Sequence, residues 1–235
     1  MRDLNERERT AIEAVAARFS ATWDKSSDSA GTYLMVAGKR VAVDIVTLKR
    51  GGTDRGNAAR IRLRFDKVAT RLIQRLQATF SGAVPDGMTV LLTITAPIRL
   101  PSKTAASLED KIQTLLTQGS ARRDESDTIH GNRVRIRLLR DAFKRAPKLI
   151  GFVHNSDSDP LLLLNMTREL LELLGARADS GAERPAVDRW LVVGGAGDTS
   201  CLDVYRYIYS QLCMAAGFKK VLMVFGDGRV GVLTS

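Results

Sequence analysis

Two segments of this chain alternate arginine with a large apolar residue. Residues 60–65 and residues 133–138 both follow this pattern. Successive side chains of a β-strand point to opposite faces of the sheet, so each segment predicts a strand with one arginine face and one apolar face. The chain therefore needs a sheet that is covered on one side and basic on the other. The arginines of the two segments are Arg60, Arg62, Arg64, Arg133, Arg135 and Arg137.

Apolar periodicity assigns most of the remaining chain. Helices are predicted at 4–23, 66–80, 104–118, 160–175 and 200–216, and further strands at 32–36, 41–48, 89–96, 149–154, 190–193, 221–225 and 230–233. This order predicts the α/β class, with a mixed β-sheet flanked by helices. The polar stretch 119–127 is predicted to be a flexible segment between a core at 1–118 and an α/β extension at 128–235. We expect the extension to continue the same sheet or to add a second layer of one compact unit.

The positive charge is concentrated before residue 149. The chain has 36 Lys and Arg against 26 Asp and Glu, a net charge of +10. On the helix predicted after the first arginine segment, Lys67, Arg71 and Arg75 recur every four residues and share one stripe. A surface formed by this stripe and the two arginine strands would bind phosphate backbones with release of counterions. The alternative is a solvated basic face that meets an acidic protein, or no partner at all.

Other features narrow the class of protein. No apolar run approaches the roughly 18–20 residues of a membrane span, and the charged N-terminal residues do not form a signal peptide. We expect a cytoplasmic protein without a membrane partner. Two histidines and two separate cysteines do not predict a structural zinc site.

Residues 31–47 read GTYLMVAGKRVAVDIVT. Within the helix, hairpin, helix, strand order of residues 6–96, this segment resembles the central part of PD-(D/E)XK nuclease-like (restriction-endonuclease-like) proteins. In that family the first strand begins with Pro-Asp and the second carries an acid, any residue and a lysine. Asp44 stands at the second acid, but Val46 replaces the lysine, and Gly31 and Thr32 replace Pro-Asp. The resemblance therefore implies a degenerate core without the usual catalytic route.

A working site would need substitutes for the missing groups. The resemblance then implies Mg²⁺ held by Asp28 and Asp44, and a catalytic pair of Asp44 and Lys49. Glu8 or Glu13 would be an additional ligand, and Lys67 an alternative cation. Without such a site, no cofactor is expected.

Two further segments are each compatible with a structural and a functional interpretation. The glycine turn at 192–200, between a strand and a helix, resembles a phosphate cradle, although Thr199 or Ser200 at this position is typical of a helix cap. Asp157 and Asp159 before Pro160 indicate a turn and a helix start, or else a site for a hard metal ion.

Together these observations predict a protein that binds DNA or RNA through its arginine strands and the Lys67, Arg71 and Arg75 stripe. Two alternatives stay open: a Mg²⁺-dependent nuclease centred on Asp44, and a non-enzymatic interaction or assembly protein. Association of the chain with itself is compatible with each of them.

Overall fold

The computed structural model describes residues 4–24, 32–48, 67–118, 124–140, 146–178, 188–197, 199–212 and 217–233. The helices are α1 (Glu6–Arg18), α2 (Lys67–Phe80), α3 (Pro101–Thr117), α4 (Pro160–Ala178) and α5 (Leu202–Leu212), with a 3-10 turn at Thr199–Cys201. The strands are β1 (Thr22–Asp24), β2 (Thr32–Val36), β3 (Lys39–Thr47), β4 (Met88–Thr95), β5 (Asp124–Ile129), β6 (Asn132–Arg140), β7 (Leu149–His154), β8 (Arg189–Ala196), β9 (Lys220–Phe225) and β10 (Val230–Val232). No helix in these ranges has the length and apolarity that crossing a membrane requires.

The chain divides into two compact units that are not consecutive in sequence. The first comprises Met1–Ala59, Ala176–Ser210 and Ala215–Ser235, and the second comprises Arg60–Gly175 and Gln211–Met214. The expected boundary at 119–127 therefore falls inside the second unit. Composition does not show this arrangement, because the first unit is closed by pairing between strands that are far apart in sequence.

The first unit is built on a six-stranded sheet in the order β1-β2-β3-β8-β9-β10. β2 and β3 form an antiparallel hairpin, β3, β8 and β9 run parallel, and β10 returns antiparallel to β9. The hairpin reverses at Ala37 and Gly38, whose φ angles of 48° and 76° give the primed turn that suits strand twist. The C-terminal strands thus continue the sheet of the N-terminal hairpin, which was one of the two arrangements expected.

Helix α1 covers one face of this sheet. Its N-terminus has a capping box, in which the Asn5 side chain accepts from the Glu8 amide and the Glu8 carboxylate accepts from the Asn5 amide. Ile12 and Val15 are fully buried against the sheet. A β-carbon added to Gly194 of β8 would lie 3.1 Å from Cβ of Ala11, so helix and strand approach closely at this point.

The second unit is built on a four-stranded sheet in the order β5-β6-β4-β7. β5, β6 and β4 are antiparallel neighbours, whereas β4 and β7 are parallel. Helices α2 and α3 pack on one face, where alternate residues of β4, β6 and β7 complete an apolar core. Gly151 of β7 admits α2 on this face, because a β-carbon there would lie 2.4 Å from Cδ1 of Ile73.

Helix α4 lies on the opposite face of the four-stranded sheet. Val134, Ile136 and Leu138 of β6 point into the core with α2 and α3, so the arginines between them point to the other side. On that side Nη1 of Arg137 donates to Oδ1 of Asn165 in α4 at 2.9 Å. The alternation predicted for residues 133–139 is therefore confirmed.

The structure differs from the sequence prediction at four main places. Residues 124–127 lie in strand β5 rather than in a flexible segment, and Trp23 lies in β1 rather than in the first helix. The predicted helix at 200–216 begins as a 3-10 turn, and its α-helical part is Leu202–Leu212. The hairpin and β4, which we expected in one nuclease-like core, belong to different sheets, and the parallel neighbour of β3 is β8.

Candidate nucleic-acid interface

The arginines of β6 differ in how far they are neutralised. Arg135 binds the Asp124 carboxylate with Nε at 2.6 Å and Nη2 at 3.0 Å, and Nη2 of Arg137 reaches the same carboxylate at 2.6 Å. Partial burial raises the pKa of Asp124, but the hydrogen bonds from both arginines outweigh it and leave that pKa below its usual value. Arg133 is exposed and has no carboxylate partner among the described residues. Of the three, Arg133 is the one available to a ligand.

The stripe on α2 does not join the arginines of β6. Lys67 and Arg71 are exposed, and Nε of Arg75 donates to Oε1 of Glu109 in α3 at 2.8 Å. Since α2 packs on the face that Val134 shares, its exposed side and the β6 arginines lie on opposite sides of the sheet. The α2 stripe and the β6 arginines therefore do not converge on one surface, because strand alternation sends these arginines away from the helix.

Several predicted site residues lie outside the described residues, namely Asp28, Lys49, Arg60, Arg62 and Arg64. Their predicted roles remain predictions.

Asp44 lies on β3 beside an arginine of β8. Nη2 of Arg189 donates to Oδ2 of Asp44 at 2.6 Å, and the two side chains are only 11% and 10% exposed. The guanidinium also lies 4.7 Å from the ring centre of Phe218. In the part of the chain that is described, no group of three or more His, Cys, Asp or Glu side chains is placed to hold a metal ion.

Glu8 and Glu13, the further metal ligands predicted from the sequence, are not observed in contact with Asp44 in the described part of the chain. Glu8 is 3% exposed and its carboxylate closes the α1 capping box, while Glu13 is exposed on α1. The glycine turn also differs from a phosphate cradle, because β8 continues through Gly194 and Gly195 to Ala196.

Asn132 joins the turn between β5 and β6 to the segment that precedes α3. Its side-chain oxygen accepts from the Arg99 amide at 2.7 Å, and its Nδ2 lies 3.0 Å from the Arg99 carbonyl oxygen. The same Nδ2 lies 2.9 Å from Oγ1 of Thr104 and from the Ile129 carbonyl oxygen. Asn132 is 1% exposed, so these bonds replace the water that a buried amide would otherwise need.

This joint brings three exposed cations to one end of the sheet. Arg99 covers the turn, since a β-carbon on Gly131 would lie 3.0 Å from its Nη1. Arg133 follows the turn directly, and Lys103 lies in the first turn of α3. Among the described residues none of the three has a carboxylate partner. We refer to Arg99, Lys103 and Arg133 as the basic tip.

The N-terminus of α3 adds positive potential to the basic tip. Leu100 at the N-cap has φ 44° and ψ 58° and gives no side-chain hydrogen bond to the first amides of the helix. Uncapped amides and the helix dipole both favour an anion at this position. His130, with φ 49°, lies in the adjacent turn, and its Nε2 is 3.0 Å from Oγ of Ser107.

Sequence reasoning identified Arg133 but missed Arg99 and Lys103. Both lie beside Pro101, which occupies the first turn of α3, so the helix begins three residues earlier than predicted. The proline was the signal that could have placed Lys103 on the helix. The long-range bonds of Asn132 have no counterpart in local sequence.

Comparison with known proteins gives no match to any protein-family model, curated protein or solved structure.

Proposed function

We propose that this protein binds nucleic acid, and that the basic tip contacts the phosphate backbone. The observation that carries the proposal is the Asn132 joint, which holds the Arg99 segment against the turn that precedes Arg133, so that the exposed residues Arg99, Lys103 and Arg133 all lie near one end of the sheet. Cations already paired with carboxylates gain little from a phosphate, because the existing ion pair must first break. The three cations of the basic tip have no ion pair of this kind with any residue that the structure describes.

The Asp44 and Arg189 pair supports a binding role rather than the nuclease alternative. A carboxylate already 2.6 Å from a guanidinium and 10% exposed would have to give up that partner before it could hold Mg²⁺. We therefore place binding in the second unit and regard the nuclease-like core as degenerate.

The proposal is tested by fluorescence anisotropy with labelled single-stranded and duplex DNA and RNA at several salt concentrations. Each phosphate contact contributes roughly 0.9 to the slope of log K against log salt for duplex DNA and about 0.7 for single strands. The wild-type chain is expected to bind with a slope of about −2 to −3 if the three cations act together. Arg99→Gln and Arg133→Gln should each reduce the slope by close to one contact.

The matched control is Arg168→Gln, which removes the same charge from an exposed position on α4 that is paired with Glu172. It should leave affinity and slope unchanged. Equal losses in the control and in both tip variants would mean that only net charge matters, and would overturn the proposed surface. Absence of binding at low salt would favour an acidic protein partner instead.

The recovered probe should also be run on a gel after incubation with Mg²⁺. Intact probe is the expected result. Shortened probe that persists in Arg99→Gln and disappears in Asp44→Asn would replace our proposal with the nuclease alternative.

A further inference from the structure

The hairpin of β2 and β3 presents three side chains on one face of the six-stranded sheet. Leu34 of β2 and Val41 of β3 belong to the core with α1 on the other face. Alternation therefore sends Tyr33, Met35 and Arg40 away from α1. Met35 is 39% exposed and is the register partner of Arg40. We refer to Tyr33, Met35 and Arg40 as the hairpin patch.

The guanidinium of Arg40 is stacked on an aromatic ring. Its Cζ lies 3.8 Å from the centre of the Tyr33 ring, which is van der Waals contact. The negative face of the ring attracts the cation and holds it in place. Since Tyr33 is half-buried, the ring and the guanidinium form a surface that is ordered before any ligand arrives. A ligand that covers Arg40 therefore loses less affinity to the ordering of this long side chain.

A second arginine on the same sheet face shows what distinguishes Arg40. The strand pairing places Arg189 of β8 in the same row of side chains as Tyr33. Arg189 also lies over a ring, that of Phe218, but its side chain is 11% exposed and binds Asp44. Arg40 is exposed, and among the described residues no carboxylate pairs with it. Arg189 is thus committed to the fold, whereas Arg40 keeps its outer face for a partner.

The chemistry of the hairpin patch fits an unpaired nucleobase. A planar guanidinium held on a ring offers a flat outer face on which a base can stack. Met35 adds a polarisable thioether beside that face. Lys39, which directly precedes Arg40, is exposed and has no carboxylate partner within the described ranges, so its charge complements a phosphate of the same strand. An acidic peptide would use the charges but not the stacking face, and a duplex keeps its bases inside the helix.

We propose that the hairpin patch binds single-stranded nucleic acid by stacking one unpaired base on Arg40, with Met35 beside the base and Lys39 at a neighbouring phosphate. This inference rests on the proposed function and adds a substrate class to it. The basic tip contacts phosphates, which single strands and duplexes share. The hairpin patch requires a base that is free to stack, so it makes the protein prefer single strands.

The test compares four labelled probes by fluorescence anisotropy: a thymidine oligonucleotide, an abasic strand of the same length, a duplex of that length and a polyglutamate peptide. The abasic strand keeps the phosphates and lacks the bases. Arg40→Lys keeps the positive charge and removes the planar group. The matched control is Arg9→Lys, which makes the same change at an exposed position of α1, on the other side of the sheet.

We expect the wild type to bind the thymidine strand about tenfold more tightly than the abasic strand, which is the effect of one stacked base. Arg40→Lys should remove most of this difference. Its affinity for the abasic strand and the duplex, and its slope of log K against log salt, should stay the same because the charge is kept. Tyr33→Leu, which removes the ring beneath Arg40, should also weaken binding of the thymidine strand alone, and Arg9→Lys should change none of these values.

The outcomes separate this inference from the proposed function. If the thymidine and abasic strands bind the wild type equally well and Arg99→Gln weakens both, the hairpin patch is not a base site while the proposed function stands. If Arg40→Lys weakens both strands to the same extent, Arg40 does not stack a base and the inference is wrong. If no oligonucleotide binds, both proposals fail, and binding of polyglutamate alone would assign the charges to an acidic protein partner.

A thymidine strand that carries one 5-iodouracil locates the base directly. Irradiation links this base to side chains that it contacts, and peptide mapping identifies them. We expect the link at Met35 or Tyr33 in the wild type, and a reduced yield in Arg40→Lys. Links confined to the basic tip would overturn the inference.

Discussion

The side chain of Asn132 holds both backbone polar groups of Arg99, accepting from its amide at 2.7 Å and contacting its carbonyl oxygen at 3.0 Å. These two residues are 33 positions apart, and their pairing fixes the segment before α3 against the turn between β5 and β6. The conformation of the basic tip therefore depends on an uncharged residue that no ligand needs to touch.

Asn132→Ala should lower the free energy of unfolding by roughly 2–4 kcal/mol, because several buried polar groups lose their partner at once. It should also weaken oligonucleotide binding without removing a charge. Urea denaturation and anisotropy measure the two effects. Ser126→Ala, at an exposed position of β5, is the control and should change neither. Unchanged binding in a folded Asn132→Ala protein would show that the tip does not depend on this joint.

Much of the second unit was predictable from local pattern. β7 begins and ends where its apolar run does, and the alternation of β6 was predicted because the core needs every second residue. β5 was missed because DESDTI has no apolar alternation. It is held instead by ion pairs, with Lys111 of α3 binding Glu125 and Asp127, and such long-range pairs leave no local signal in the sequence.

In the first unit, the sequence predicts most strands but not how they pair. Apart from β1, the strands of its sheet were predicted, but the parallel pairing of β3 with β8 joins segments that are separated by the larger part of the second unit, Arg60–Gly175. For the same reason Arg189 could not be identified as the partner of Asp44. The charge pattern along the chain identified Arg133 as a candidate, but only the packing shows that it has no carboxylate partner among the described residues while Arg135 and Arg137 share Asp124.

Asp44→Ala should destabilise the protein strongly, by about 3–5 kcal/mol, because Arg189 would keep a buried charge without its carboxylate. Replacing both residues, as in Asp44→Leu with Arg189→Met, should recover most of this loss, because two apolar side chains need no ion pair. Chemical denaturation of the two single variants and the double variant gives the coupling energy. A double variant that is as unstable as Asp44→Ala would contradict a simple ion-pair role.

Gly151→Ala should cost about 1–3 kcal/mol, because the added methyl group would lie 2.4 Å from Cδ1 of Ile73. Ile73→Val removes that carbon and should partly restore stability in the double variant, although on its own it should cost about 1 kcal/mol. Thermal unfolding of the four proteins forms a double-mutant cycle. If the changes in unfolding free energy of the two single variants add up exactly to that of the double variant, α2 does not pack on β7 at this position.

Asp124→Asn should free Arg135 and Arg137 from their shared carboxylate. We expect tighter oligonucleotide binding at low salt and a steeper salt slope, because two more guanidinium groups become available on the face that Arg133 occupies.

The Asp124→Asn variant should also lose part of the acid sensitivity of the wild type. The pKa of Asp124 is lowered in the folded protein, so its stabilising effect is present above the ordinary carboxyl pKa and is lost as the pH falls through the lower, folded value. Anisotropy at pH 7 and urea denaturation from pH 6 to pH 3 test both expectations.

The pH dependence of stability near neutrality should depend on His154. Burial lowers the pKa of its imidazole, and this outweighs the Asn155 carbonyl, Asp159 and Asp157, which all act to raise it. The unfolded chain therefore takes up a proton near pH 6.5 while the folded chain stays neutral, so the free energy of unfolding should fall as the pH drops from 7 towards the folded pKa. His154→Asn should flatten this part of the curve, because asparagine does not titrate. Urea denaturation between pH 7 and pH 5 measures both curves, and a curve that keeps its slope in His154→Asn would place the titrating group elsewhere.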